Sequence, residues 1–208
     1  MYWYTGDHHA GHDKIREHAR RPFASLEEMV EELVRRHNEV VSARDTVFIL
    51  GDFAYRLAPR HAVKLLERFK GRKQLIYGNH DRKLWLKAQH KGLLDPLVHS
   101  GALRILGDRF EQKITHKGEK LRIVLDHYPI HSWNAKMHGS WHIHGHCHNN
   151  LDRAMPHRVD AGVDAWNYYP ASLEQILDRG RKLQPVTDGK EPALFLPATP
   201  ELVVNADD

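Results

Sequence analysis

The sequence predicts an α/β fold built as a single domain. Between residues 2 and 77, three short apolar runs typical of buried strands alternate with two amphipathic stretches typical of helices. After residue 110 the predicted elements are mostly strands. The 208 residues are enough for one domain with a substantial core. We place this domain at residues 1–183 and a peripheral C-terminal tail, with several prolines and terminal acids, at residues 184–208.

The first half of the chain alternates strands and helices. One helix is predicted to begin near Leu26, because Ser25 and Glu28 form a capping-box pattern and apolar residues then recur at helical spacing. A second helix is predicted to begin at Pro59, since proline is favoured at the first helical position. The predicted strands of this half are Tyr2–Thr5, Thr46–Leu50 and Gln74–Tyr77.

The second half of the chain predicts a hairpin, two further strands and a short helix. Lys117 and Gly118 form the hairpin turn, and the apolar approach to His144 indicates a strand that runs out into a loop. Ser172, followed three residues later by Gln175, predicts the start of a helix that ends at Gly180. The other predicted strands are Phe110–Thr115, Leu121–Leu125 and Arg158–Asp164.

The overall composition is that of an ordinary globular protein, with 41% hydrophobic and 28% charged residues. No apolar run approaches the roughly 20 residues that a membrane-spanning helix needs, so we expect no membrane association. The start of the chain lacks the pattern of a signal peptide. A single cysteine, Cys147, excludes an intramolecular disulfide framework. We therefore expect a cytoplasmic protein, and the sequence does not indicate its oligomeric state.

Positive charge is concentrated in one block, although the net charge of the chain is only +4. From Arg56 to Lys91 there are eleven Lys and Arg against two acids, a balance of +9. Such a block is typical of a solvated helix face, and it is equally typical of a surface that attracts phosphorylated substrates. Both interpretations stay open at this point.

Polar clusters follow the predicted strands. In open α/β sheets, the binding crevice lies outside the carboxyl ends of the strands, so we expect these clusters to converge on one site. Alternate residues of an extended chain share a face, which would direct Asp7 with His9, and His146 with His148, into the same pocket. Spacing alone does not exclude His142 and His144 as further ligands. The clusters are Asp7-His8-His9, Gly51-Asp52, Gly78-Asn79-His80-Asp81, His127 and Gly145-His146-Cys147-His148.

This ordered set of clusters resembles the calcineurin-like metallophosphoesterase family, whose signature is D-x-H, GD, GNHD, a single H and GHxH. The resemblance spans residues 7–148, and the complete set is far more specific than any one block. It implies the family fold, a two-sheet α/β sandwich flanked by helices. Four segments also resemble a compact bacterial and phage branch of that family: Gly11-His12, Arg21-Pro22-Phe23, His127-Tyr128-Pro129 and Val163-Asp164-Ala165-Trp166-Asn167.

The resemblance implies a centre with two divalent metal ions. One ion would be held by Asp7, His9, Asp52 and His148, and the other by Asn79, His127 and His146. Asp52 would bridge the two ions, because a carboxylate has two oxygens whereas imidazole has one free lone pair. This nitrogen and oxygen ligand set favours manganese, with iron, zinc or nickel as alternatives.

The implied activity is hydrolysis of phosphate esters, with phosphodiesters favoured over monoesters. A hydroxide between the two ions would attack phosphorus, and His80 would act as general acid toward the departing alkoxide. Asp81 would orient the imidazole of His80 and favour its protonated form. A small phosphate ester is the expected partner. A nuclease or nucleic-acid end-processing enzyme is the alternative, and a scaffold without chemistry is the least favoured.

The residues next to the predicted ligands have separate expectations. His8 should face away from the ligands, and Cys147 is expected to be a small buried side chain on the opposite face. Asp126 is either a hydrogen-bond acceptor for a ligand or a strand residue that turns elsewhere. A group of five residues is considered for the mouth of the pocket, with a structural role as the alternative for each: His12, Arg21, His131, Trp133 and Asn134.

Overall fold

The computed structural model describes residues 1–151 and 154–183, in two mixed β-sheets with six α-helices. The tail predicted at residues 184–208 lies outside the described residues. The strands are β1 (Tyr2–Thr5), β2 (Thr46–Leu50), β3 (Arg72–Ile76), β4 (Leu103–Gly107), β5 (Arg109–His116), β6 (Glu119–Asp126), β7 (Trp141–His144), β8 (Arg158–Asp160) and β9 (Ala171–Ser172). The helices are α1 (Ile15–His18), α2 (Leu26–Val40), α3 (Pro59–Glu67), α4 (Arg82–His90), α5 (Asp95–His99) and α6 (Leu173–Lys182).

The first sheet has the strand order β4-β3-β2-β1-β9. Strands β1 to β4 are parallel and β9 is antiparallel to β1. The second sheet has the order β5-β6-β7-β8, in which β5 and β6 form the predicted hairpin and β6, β7 and β8 are parallel. Because parallel strands end at the same edge of a sheet, the loops after β1, β2 and β3 lie side by side.

Two hydrophobic clusters fill the two faces of the first sheet. Alternate residues of a strand point to opposite faces, so Trp3 and Val47 face the helices while Tyr4 and Phe48 face the second sheet. The helical side includes buried residues of α2, α3 and α4. The other cluster joins residues of both sheets and of α6. The arrangement is consistent with an α/β sandwich, and the predicted α/β fold class is confirmed.

The predicted start of α2 is confirmed. The Ser25 side chain accepts a hydrogen bond from the backbone N–H of Glu28, at 3.0 Å. The carboxylate of Glu28 accepts from the backbone N–H of Ala24 at 2.6 Å, one residue before the position that a capping box uses. Four residues of α2 are buried at helical spacing: Met29, Leu33, Val34 and His37.

Two predicted boundaries in the second half are wrong. Helix α6 continues through Gly180 to Lys182, because Gly180 serves close packing: a Cβ there would lie 2.3 Å from Cζ3 of Trp141. The strand predicted to reach Asp164 ends at Asp160. The carboxylate of Asp160 accepts the backbone N–H of Gly162 at 2.7 Å, which turns the chain into a short 3₁₀ helix.

Five of the eleven basic residues of the block lie on the exposed sides of α3 and α4. Some of its charges are paired: Arg68 with Glu31, and Arg82 with Asp108. Lys73 is buried and donates to the backbone carbonyl of Phe69 at 2.9 Å. Both interpretations of the block remain compatible with this placement. Among the described helices, none has the length and apolar character needed to cross a membrane.

The buried His37 predicts a specific pH dependence of stability. Its Nε2 donates to the backbone carbonyl of Lys70 at 3.0 Å, and burial lowers the pKa of His37 from 6.5 to about 4. Between these pH values, His37 is protonated in the unfolded chain and neutral in the folded chain. The free energy of unfolding therefore decreases as pH falls from about 6.5 toward 4. His37→Gln should reduce this loss by up to about 3 kcal/mol, as measured by urea unfolding at several pH values.

A core variant of the same helix is the control for His37→Gln. Leu33→Val should lower the free energy of unfolding by about 1 kcal/mol at every pH, because no titrating group is removed. An equal dependence on pH in the His37 variant and the wild-type protein would contradict the prediction.

Candidate functional site

The site lies where the loops after β1, β2 and β3 of the first sheet meet the loops after β6 and β7 of the second. These loops carry all seven residues predicted as metal ligands. Nε2 of His9 and Nε2 of His127 each lie 3.5 Å from Oδ2 of Asp52. Nε2 of His127 lies 2.8 Å from Oδ1 of Asn79. The imidazole rings of His146 and His148 contact the rings of His127 and His9, with centroids 5.0 and 4.9 Å apart.

Two groups of donor atoms within the site are close enough to hold a metal ion. Asp7, His9 and His148 form the first group, and Asp7, Asp52 and His127 form the second, with the donor atoms of each group within 4.8 Å of one another. Asp7 therefore belongs to both groups. Oδ2 of Asp52 is equally far from a nitrogen of His9 and one of His127, so it is within reach of a histidine of each group.

Hydrogen bonds leave the inward-facing atoms of several ligands without a protein partner. Nδ1 of His127 donates to the backbone carbonyl of Leu50 at 2.8 Å, so the lone pair of the neutral ring is on Nε2. That lone pair faces the amide oxygen of Asn79 rather than a donor. Oδ1 of Asp7 and Nε2 of His9 are buried and have no hydrogen-bond partner among the described residues.

The backbone is strained at the ligand positions. Asp7, His9, Asp52, His146 and His148 all have positive φ angles, between 49° and 71°. Non-glycine residues seldom adopt this left-handed conformation, and where they do it is commonly at functional sites. The prediction that Asp7 with His9, and His146 with His148, would share a pocket through an extended chain is therefore wrong in its reason. The side chains reach the site from turns.

Glycines allow the ligand loops to touch. A Cβ on Gly78 would lie 2.0 Å from Oδ1 and 2.3 Å from the backbone nitrogen of Asp52. A Cβ on Gly145 would lie 2.7 Å from Oδ2 of Asp7, so the absence of a side chain at this position permits the close approach. Any larger residue at either position would push two ligand loops apart.

Buried negative charge is concentrated here. Burial raises the pKa of Asp7 well above its usual value, and the neighbouring carboxylates of Asp160, Asp52 and Asp164 raise it further. Burial also raises the pKa of Asp52. The pKa values of His9 and His127 are lowered, mainly by burial, so their rings are held in the neutral form that binds metals. Positive charge placed between these groups would relieve the repulsion among the carboxylates.

The donor set fits divalent cations. Several buried oxygen and nitrogen atoms have no hydrogen-bond partner in the described part of the chain, and the histidines are held in the neutral form. The site contains several buried carboxylates but only one nearby buried arginine among the described residues, Arg21, which pairs with one of them. These are the requirements that divalent transition metals place on a site. His146 lies outside the two groups defined by close donor atoms, although its backbone N–H donates to Oδ2 of Asp7 at 2.8 Å.

The two predicted catalytic residues have different burial and different hydrogen-bond partners. The imidazole of His80 is 38% exposed, and its Nε2 lies 4.0 Å from Oδ2 of Asp52. Asp81 is fully buried, and its two oxygens accept the backbone N–H groups of Gly78 and Phe53 at 2.9 and 2.7 Å. Among the described residues, no hydrogen bond joins Asp81 to the imidazole of His80. The expected orienting role of Asp81 is therefore wrong. Asp81 instead ties together the loops after β2 and β3.

Other histidines and acids near the site have structural partners. His142 and His144 are buried in β7 and contact backbone groups, and neither belongs to the two donor groups. Asp126 accepts from Arg109 and from the backbone N–H of Tyr128, so it turns away from the ligands. His8 packs against the rings of Phe53 and Phe69, as expected for a residue that faces away. Cys147 is half-buried in a turn and not on a strand face.

Of the five residues considered for the pocket mouth, His12 contacts the site. Its Nδ1 shares a hydrogen bond with Nδ1 of His9 at 3.3 Å, and its ring stacks on Tyr55. Arg21 contacts the site only from behind, through the backbone carbonyl of Asp7, and the remaining three have other partners. Arg21 is buried in an ion pair with Asp164, Trp133 donates to Ser140, Asn134 donates to Glu111, and the carbonyl of His131 accepts from Lys136.

Sequence reasoning missed three residues at the site. Tyr55 packs its ring edge-on against His80, and Tyr128 contacts the ring of His146. Asp164 accepts a hydrogen bond from Nδ1 of His148 at 2.7 Å. Asp164 stands in a segment that resembles one branch of the metallophosphoesterases, and this was its one signal. Nothing in the spacing indicates its partner.

The fold and the site together define an α/β protein with a candidate metal-binding cluster where its two sheets meet. No family model matches the sequence. The chain is 30% identical over 192 residues to the uncharacterized protein MJ1445 of Methanocaldococcus jannaschii, with 88% of this chain and 94% of that protein covered. It is also 30% identical over 204 residues to the gene 66 protein of Mycobacterium phage L5, with 85% and 92% covered. The chain belongs to the family of these two proteins.

One solved structure shares the fold. It is the crystal structure of AQ665, a protein of unknown function from Aquifex aeolicus, with a TM-score of 0.59 and 23% sequence identity. The match covers 86% of this chain and 98% of that one. The similarity therefore extends over the whole of that chain and supports the assignment of the mixed α/β architecture.

The close approach at Gly78 predicts a selective loss of metal binding. Gly78→Ala should displace Asp52 and weaken the binding of Mn²⁺, measured by isothermal titration calorimetry, because the clash includes a backbone atom. Gly118→Ala is the control. It has a strained φ of +83° but open space around it, so it should cost about 1 kcal/mol of stability and leave metal binding intact. Equal metal affinity in both variants would contradict the prediction.

Proposed function

We propose that this protein is a metal-dependent phosphoesterase of the calcineurin-like metallophosphoesterase type, which hydrolyses phosphodiesters in preference to monoesters. The observation that carries the proposal is the position of Asp52. Its Oδ2 lies 3.5 Å from Nε2 of His9 and 3.5 Å from Nε2 of His127. A carboxylate oxygen within reach of one histidine from each proposed ligand set is suited to bridging two ions.

We also propose that the fold is that of the calcineurin-like metallophosphoesterases. The two mixed sheets share a hydrophobic cluster, and α2, α3 and α4 cover the other face of the first sheet. This arrangement supports the two-sheet sandwich flanked by helices that the sequence motifs imply. The motifs and the fold are independent observations, because one depends on five short segments and the other on the packing of the whole chain.

Two divalent ions would be held by the chain's own residues as follows. Asp7, His9, Asp52 and His148 would hold one ion, and Asn79, His127, His146 and Asp52 the other. Manganese is favoured, with iron, zinc or nickel as alternatives. When bound, such ions stabilise negative charge on a phosphate and acidify a water molecule. The protein supplies neutral imidazoles, since the pKa values of His9, His127 and His146 are lowered mainly by burial.

His80 would act as the general acid. Its backbone N–H donates to Oδ1 of Asp52 at 2.9 Å, which fixes the loop, while its imidazole remains 38% exposed beside Oδ2 of the same carboxylate. An imidazole that lies at the surface and close to the donors can deliver a proton to a leaving oxygen. The ring of Tyr55 packs against it at 5.1 Å and restricts its orientation.

The outer side of the cluster supports the preference for diesters. His80, Tyr128 and His146 are exposed beside buried ligands, so one side of the site faces solvent. A diester carries two substituents on phosphorus, and an open site accommodates both. The aromatic rings of Tyr55 and Tyr128 at this edge favour aryl substituents.

The decisive experiment measures turnover of two phosphodiesters by the Mn²⁺-loaded protein. Asp52→Asn should abolish hydrolysis of bis(p-nitrophenyl) phosphate, because the residue proposed to bridge the two ions loses its negative charge. His80→Ala should slow hydrolysis of the second phosphodiester, a methyl ester with an alkoxide leaving group, by about 10²- to 10⁴-fold. It should slow hydrolysis of the p-nitrophenyl substrate much less. A nitrophenolate leaves without a proton, whereas an alkoxide needs one.

Intact turnover in Asp52→Asn would refute the proposed mechanism. Asp126→Asn is the matched control, since this buried carboxylate lies one residue from His127 without contacting its ring. It should retain activity on both substrates. If all three variants and the wild-type protein were inactive on every phosphate ester tested, a scaffold without chemistry would replace the proposal.

A nuclease or nucleic-acid end-processing enzyme is the second candidate. The observation in its favour is the exposed basic surface of α3 and α4, which includes Arg60, Lys64, Lys83 and Lys87. Lysines and arginines that neutralise backbone phosphates make binding fall steeply with salt concentration.

Filter binding of DNA and RNA at two salt concentrations tests the second candidate. Binding at 50 mM salt should fall by orders of magnitude at 200 mM. Lys64→Glu combined with Lys87→Glu should reduce binding at low salt, while Glu174→Lys on a distant helix should not. Absence of binding at both salt concentrations would remove this candidate.

A further inference from the structure

A buried ion pair lies next to the candidate metal cluster and takes no part in the proposed chemistry. Nε and Nη2 of Arg21 donate to the two oxygens of Asp164, both at 2.7 Å. The side chain of Arg21 is fully buried and that of Asp164 is 5% exposed. The pair joins two segments that are 143 residues apart in sequence.

The ion pair contacts a predicted ligand through Asp164. Oδ2 of Asp164 accepts a hydrogen bond from Nδ1 of His148 at 2.7 Å. With a proton held on Nδ1, the neutral ring has its lone pair on Nε2. A carboxylate that holds one nitrogen of an imidazole in this way fixes the tautomer and orientation of the ring for metal binding by the other nitrogen.

The ion pair also contacts the loop after β1. Nη2 of Arg21 donates to the backbone carbonyl of Asp7 at 2.6 Å, and Nη1 donates to that of His8 at 3.0 Å. Together with the two bonds to Asp164 and a contact from Nη1 to Sδ of Met29, these bonds use the planar guanidinium on every side. Arg21 therefore links the loop that carries Asp7 and His9 to the residue that orients His148.

We infer that Asp164 and Arg21 are positioning residues for the metal ion that Asp7, His9 and His148 would hold. Asp164 sets the Nδ1–H tautomer and the ring direction of His148, and Arg21 fixes the distance between His148 and the loop after β1. This inference rests on the proposed metal centre.

The strained backbone at these ligands makes such a link necessary. His9 and His148 have φ angles of 52° and 49°, conformations that persist only where the surroundings impose them. Both rings lie 4.9 Å apart by their centroids, so a small rotation of either would separate their donor atoms. In the other half of the cluster, His127 is oriented by the backbone carbonyl of Leu50 and not by this pair.

Metal titration of the metal-free protein is the test, with Mn²⁺ by calorimetry and Co²⁺ by visible absorption. Asp164→Asn should weaken one of the two metal sites by about 10- to 100-fold and leave the other unchanged. Arg21→Lys should weaken the same site, because lysine keeps the charge but cannot bond two carboxylate oxygens and two carbonyls at once.

Asp126→Asn is the matched control. Like Asp164, Asp126 is buried, pairs with an arginine and lies close to a ligand histidine, but it does not contact the imidazole. It should reduce thermal stability and leave both metal affinities unchanged. Unchanged metal affinities in Asp164→Asn, or the same selective loss in Asp126→Asn, would overturn the inference.

A measurement on the wild-type protein covers the case in which the variants fail to fold. In ¹⁵N-histidine-labelled, Zn²⁺-loaded protein, the His148 ring should carry its proton on Nδ1 and bind zinc through Nε2. A proton on Nε2 would overturn the inference. None of these readouts depends on turnover. A wild-type protein that binds two ions with the predicted effects of the variants, yet hydrolyses no phosphate ester, would remove the proposed function and leave the positioning role intact.

Discussion

Burial of carboxylates around bare donor atoms is the constraint on which the site depends. Asp7 and Asp52 are almost completely buried, and Asp160 and Asp164 lie close enough to raise the pKa of Asp7. Buried charge without compensation costs several kcal/mol per ion. Arg21 offsets part of this charge, and cations at the unpartnered atoms of Asp7 and His9 would offset the rest. The buried atoms that reduce the stability of the fold are therefore the same atoms that make the site suitable for metals.

The fold brings these groups together through strand direction. Strands β1, β2 and β3 are parallel, so the loops that carry Asp7, Asp52 and Asn79 emerge at one edge. Strands β6 and β7 are parallel in the second sheet and deliver His127 and the His146 loop. Because the two sheets pack against each other, their loop-bearing edges meet. Residues far apart in sequence are thereby collected without any of them belonging to a helix or strand.

Much of the fold was predictable because local patterns determine it. The caps of α2 and α6, the buried strands β1 and β2 and the hairpin of β5 and β6 all follow from spacing and turn residues. Gly180 was misjudged because glycine ends helices and also permits close packing, and only the position of Trp141 shows which applies. The sequence shows which residue occupies a position, whereas the structural role of that residue depends on its contacts in the folded chain.

The same distinction between residue type and contacts in the fold applies to the site. The residues that meet at the site could be predicted because five short motifs stand in order, each after a strand. The partners of those residues could not be predicted. Asp81 follows His80 directly, yet it binds two backbone N–H groups, while His148 is oriented by Asp164 in a segment that sequence assigned to a strand. A residue's neighbour in sequence is held at a fixed distance but in no fixed direction, so adjacency does not predict which group orients an imidazole.

The ligand loops hold one another in their strained conformations. The backbone N–H of Asp7 donates to Gly51, that of His9 donates to Asp52, and that of Gly145 donates to His127. Each bond joins two different ligand loops, so no loop can relax alone. The cost of five left-handed residues is therefore shared by the whole assembly and met by the stability of the fold. A site built in this way has its donor geometry in place before any cation arrives, because the conformational cost of forming it belongs to folding and not to binding.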